Sequence, residues 1–135
     1  MNLTILHFAV RCDEAISLAE MSARVAKAIG CHLDQGSYHK IPAARGKLLG
    51  MDVGLYEWGG VAGKTFRFEG EIEDTAFLDF TRGKSVDVVS LDISQAVADA
   101  LTVGTMLAWR VPITEDFIAE KSYGDDVERR FSPAT

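Results

Sequence analysis

The sequence predicts an α/β protein of the α+β kind: a two-layer sandwich with two amphipathic helices on one face of a mixed or antiparallel sheet. Three stretches carry that prediction. Residues 3–10 form an apolar run that leads into a helical repeat at 13–29. Residues 51–73 contain a clean in-and-out alternation. Residues 86–113 read as strand, helix and strand with little slack between them. Together they give the order β, α, an undefined segment, β-hairpin, short element, β, α, β, which fits a ferredoxin-like arrangement with insertions. One domain over residues 1–124 is expected, followed by a charged tail at 125–135 that frays.

The first strand is apolar on both faces. Leu3, Ile5 and Ala9 share one with His7; Leu6, Phe8 and Val10 share the other with Thr4. A strand of that kind belongs inside a sheet covered on both sides. Over residues 13–29, Ile16, Leu18, Val25 and Ile29 gather with alanines 15, 19, 23 and 26 on one half of a helical wheel. Asp13 is the expected N-cap and Gly30 the expected C′ residue. The alanines imply close approach to whatever the helix packs on.

Residues 31–50 are the least readable. Pro42 as a first helical residue and Gly50 as a stop point to a short helix over 43–49. In 51–73, Phe66, Phe68 and Ile72 alternate with Arg67, Glu69, Glu71 and Glu73, as in a hairpin with one wet face. Residues 74–82 are a short turn of helix or a further strand. In the 86–113 unit, Asp92 stands at the N-cap with Gln95 to complete a capping box, and Gly104 stands where the helix should end. Residues 106–111 read as the closing strand before Pro112, and 114–123 as a short last helix.

Composition narrows the function. At 135 residues with 47% apolar and 25% charged content, the chain can bury a core without staples. No apolar run approaches the ~18 residues of a membrane span, and the opening residues lack the cationic start of a signal peptide. Cys12 and Cys31 flank opposite ends of the expected first helix, about 28 Å apart at ~1.5 Å per residue, so they should not pair. A cytoplasmic location follows as the expectation. The net charge of −6 splits into +2 over residues 1–50 and −8 over residues 51–135. An acidic half disfavours nucleic acid and suits a basic partner.

Several motifs fail on inspection. Residues 59–65 (GGVAGKT) resemble a P-loop, but Trp58 occupies the place of its first glycine and Lys64 opens a strand instead of a helix. Phe66 and Phe68 share their face with Ile72 and so are not set out for base stacking. Cys12, Cys31, His32 and His39 have no zinc-site spacing. No cofactor and no metal are expected.

The strongest charged feature is Glu69, Glu71 and Glu73 on one strand face, with Glu57 on the partner arm and Tyr56 and Trp58 near the loop. Acids beside aromatics make a protein-binding patch for a basic surface. The expected function is a non-catalytic protein-binding inhibitor, of the toxin-immunity type, occluding its partner with this hairpin. The second expectation is a small-molecule-binding enzyme or sensor with a pocket between sheet and helices, using His7, Tyr38 and His39. The second face of the first strand requires cover, either from residues 31–50 or from another subunit in a homodimer.

Overall fold

A computed structural model gives the fold and describes residues 2–38, 40–60, 63–72, 87–113 and 116. Six strands form one mixed sheet: β1 (Asn2–Asp13), β2 (Leu33–Tyr38), β3 (Ile41–Leu48), β4 (Met51–Gly60), β5 (Gly63–Glu71) and β6 (Asp87–Asp92). Their spatial order is β2-β3-β4-β5-β1-β6. Neighbours are antiparallel except β1 and β6, which run parallel. The helices are α1 (Leu18–Ile29) and α2 (Ser94–Thr105). The predicted α+β sandwich is the observed fold.

Alternation explains the core. Phe8, Val10 and Cys12 of β1, Met51, Val53 and Leu55 of β4, and Phe66 and Phe68 of β5 point to the helix side and are buried. Met21 and Val25 of α1 and Val97, Ala98 and Leu101 of α2 close the same cluster. Phe8 and Phe68 meet at a ring-centroid distance of 5.1 Å. Both helices therefore lie on one face, as the sequence predicts.

Several boundaries differ from the sequence reading. Asp13 ends β1 and does not cap α1; Ser17 is the N-cap, its hydroxyl accepting from the Glu20 N–H at 3.1 Å. Gly30 does close the helix, at a φ of 65°. The short helix expected over 43–49 is instead part of β3, and residues 31–50 extend the sheet through β2 and β3 without covering its second face. The turn at Leu49–Gly50 has both φ values positive, 51° and 82°, as the tight turn of a two-residue hairpin requires. Gly104 does not end α2 either. It lies within the helix, where a Cβ would stand 2.5 Å from the Cβ of Ala28. Gln95 bonds to Asp99 instead of returning to Asp92. Residues 106–111 do not form a strand; Arg110 makes a single antiparallel bridge to Arg11.

The short element at 74–82, the last helix at 114–123 apart from Asp116, and the tail at 125–135 lie outside the described residues. Among the described residues, no helix is long and apolar enough to cross a membrane. Cys12 and Cys31 are both free thiols, one buried and one half-buried.

Candidate functional site: the open face of the sheet

The face of the sheet opposite the helices is polar. Register aligns its side chains in rows across the strands. One row runs Lys47, Asp52, Glu71 and His7 to Asp92; the next runs Arg45, Gly54, Glu69 and Ala9. Gly54 and Ala9 flank Glu69 with almost no side chain, so the second row sinks below the first. The result is a groove of about 610 Å³ whose lining includes His7, Tyr38, Arg45, Asp52, Glu69, Glu71 and Asp92, with Val111 and Pro112 forming one wall. Its size is that of a small-ligand site.

The charges in the groove are tied into the sheet to different degrees. Glu69 accepts a hydrogen bond from the Tyr38 hydroxyl and pairs with Arg67 at 3.3 Å. Burial, then this bond to Glu69 and the charges of Glu69 and Glu71, push the Tyr38 hydroxyl up to about 12. The Arg45 guanidinium stands 5.3 Å from the centre of the Tyr38 ring. Asp52 is exposed and bonded to Lys47, which lowers its pKa below the usual carboxylate value. Asp92 is held below that value too, by hydrogen bonds from the Ser94 hydroxyl and the Ser94 N–H, the latter at 2.8 Å. His7 Nε2 and Ser90 Oγ share a hydrogen bond of 2.8 Å at the β6 end.

The edge of β1 beyond β6 shows where each backbone group goes. The His7 carbonyl accepts from Ile93 N–H at 3.0 Å, and the Ala9 N–H donates to Ser94 Oγ at 3.0 Å. Arg11 exchanges two backbone bonds with Arg110, at 2.8 and 2.9 Å. Residues 107–113 thus form a strap that takes over the edge of β1 from β6. An ion cluster centred on the buried Arg11 and Asp116 secures it, with Arg110 and Asp13 half-exposed at its edge. Arg11, 6% exposed, reaches Asp116 at 3.2 Å and Asp13 at 3.1 Å. Arg110 grips Asp116 with both terminal nitrogens, and Asp116 also accepts the Ile113 N–H at 2.8 Å. The Arg110 bonds, opposed by desolvation, hold the Asp116 carboxyl far below the usual range.

The residues expected to bind a partner are only partly brought together. Glu69 and Glu71 are on the open face, and Glu69 is largely covered, with 18% of its side chain exposed. Glu57 pairs in register with Phe66 and lies on the helix-side face, away from both glutamates. Tyr56, expected as an exposed anchor, is 4% exposed and stacked on Tyr38 with centroids 5.1 Å apart. Trp58 pairs with Thr65 in the backbone register. Glu73 and His39 lie outside the described residues. His7 and Tyr38, expected in a pocket between sheet and helices, line the groove on the opposite face. Arg45, Asp52 and Ser90 were not singled out by sequence, and Asp92 only as a helix cap, a position that Ile93 holds instead; period-two spacing with their neighbours is the signal that could have placed them on this face.

Among the described residues, no group of three or more His, Cys, Asp or Glu side chains is placed to hold a metal ion. Among the described residues that line the groove, four carboxylates stand with the guanidinium of Arg45, a balance that favours a cationic ligand. No protein-family model, no curated protein and no solved structure matches this chain.

Proposed function

We propose that this chain is a non-catalytic binding protein, an inhibitor of the toxin-immunity type, whose acidic open sheet face occludes a basic surface on a protein partner. The observation that supports the reading is the placement of Asp52, Glu69, Glu71 and Asp92 around one groove, on the face that neither helix covers. Acids so arranged favour encounter with a lysine- or arginine-rich surface and speed association. The contact set differs from the hairpin patch read from sequence. Glu71 and Asp52, cross-strand neighbours and both exposed, form its centre, with Glu69 below them as part of the floor. Tyr56 acts by packing under Tyr38 and not by touching the partner.

The test is affinity capture from the native lysate with the wild-type chain and with the double variant Asp52→Lys/Glu71→Lys, each at low and high salt. One basic protein retained by the wild type, released by salt and lost in the variant, is the expected result. Equal retention by both chains removes the groove from the account.

A second reading is favoured by a different observation. The His7–Ser90 hydrogen bond at 2.8 Å lies at the edge of a groove of small-molecule volume. A small cationic metabolite would then be the ligand, and a metabolite screen by thermal shift separates this from the protein-partner reading.

A further inference from the structure

Val111 and Pro112 form a wall of the groove, yet neither is anchored in the sheet by a strand. Their position is fixed at both ends by groups outside the groove. On one side, Arg110 is bridged to Arg11. On the other, Ile113 N–H donates to Asp116, and Asp116 N–H donates back to the Ile113 carbonyl at 3.1 Å. The Asp116 carboxylate joins the two ends, since it also takes both terminal nitrogens of Arg110 and one of Arg11. Only 10% of its side chain is exposed, so solvent does not compete well for these bonds.

We infer that Asp116 is a positioning residue: a latch that holds residues 110–113 of the strap as the wall of the groove and so governs what the groove can bind. Without its charge, Arg11 and Arg110 face each other across the strap with Asp13 as shared partner. Residues 107–109 stay fastened to α2, where Thr102 and Thr105 hold Leu107 and the buried Trp109, so the Arg11–Arg110 backbone bridge is what remains to hold residues 110–113. The wall moves and the groove opens along that side. The consequence for binding rests on the acidic-face reading above; the latch itself does not.

The experiment is hydrogen–deuterium exchange of the full chain, wild type against Asp116→Asn, with and without a lysine-rich peptide as the basic probe. Amides of Arg110, Val111 and Ile113 should exchange roughly tenfold faster or more in the variant, the equivalent of losing one charge-assisted hydrogen bond, while those of Leu107 and Trp109, bonded to α2, should change less. Amides of β4 and β5 should be unchanged. The wild type should bind the peptide and the variant more weakly, with partial rescue by Asp116→Glu. Wild-type exchange at Arg110, Val111 and Ile113 in Asp116→Asn overturns the latch. If the strap loosens but the wild-type chain ignores the peptide, the latch stands and the acidic-face reading falls. Should Asp116→Asn fail to fold, Arg110→Gln removes the same bidentate pair and is read in the same way.

Discussion

Gly104 of α2 and Ala28 of α1 meet so closely that a Cβ on the glycine would stand 2.5 Å from the alanine Cβ and 2.9 Å from its Cα. Two opposing effects decide what Gly104→Ala does. Helix propensity favours alanine by about 1 kcal/mol, whereas forcing a methyl into a packed contact costs about 1–3 kcal/mol. Here the neighbour includes backbone, which cannot rotate away, so packing wins. Urea denaturation should show a net loss of stability, and Ala28→Gly in the same chain should restore part of it.

Ser94 serves two masters at the start of α2: its hydroxyl accepts from Ala9 N–H and donates to Asp92. Ser94→Ala leaves the half-buried Ala9 N–H without its Ser94 partner and removes the hydroxyl of a residue that is itself 5% exposed. An orphaned buried donor costs about 1–3 kcal/mol. Thermal unfolding should report a loss in that range, and exchange at the Ala9 amide should accelerate more than at Phe8.

Acid should undo the Asp116 latch with a definite sign. Its folded pKa lies below the ordinary value of 3.8, held there chiefly by Arg110. A depressed carboxylate stabilises fully above the unfolded pKa and loses that contribution as pH falls towards the folded one. The stability gap between wild type and Asp116→Asn should thus be constant from neutral pH down to about pH 5 and shrink below about pH 4. Denaturation midpoints measured across that interval provide the check; a gap that widens on acidification contradicts the assignment.

The two thiols should differ in reactivity. Burial, with the charges of Glu14 and Asp13, pushes Cys12 up to about 11, and burial raises Cys31 less markedly. A thiol-specific reagent near pH 8 should label half-buried Cys31 slowly. Cys12, 2% exposed, should react only as fast as the chain opens. Mass analysis of the labelled chain, with and without denaturant, distinguishes them.

How much of this was legible depends on how local each signal is. The β5 alternation of Phe66 and Phe68 with Arg67 and Glu69 is local, and it stands as read. So does the closing of α1 at Gly30. Residues 31–50 misled because Pro42 and Gly50 punctuate a helix and a hairpin equally well. The Leu49–Gly50 turn also lacks the Asn or Asp that marks such turns, and Leu49 at a φ of 51° is an unusual occupant. Gly104 was misread for a related reason: a helix-crossing glycine and a helix-ending glycine are identical in sequence. The groove was the least legible of all, because its members come together through register. His7 and Ser90 are 83 residues apart, and Ala9 and Ser94 are 85. Tyr56 illustrates the same limit, since its burial depends on Tyr38 arriving from β2.

The most direct test of the central claim, that the acidic open face is the binding surface, is a backbone NMR titration of the full chain with the lysine-rich peptide at low salt. Shifts should concentrate at His7, Gly54, Glu69–Glu71 and Asp92, fade as salt is raised and be absent in Asp52→Lys/Glu71→Lys. Shifts confined to α1 and α2, or a spectrum that does not move, would contradict it.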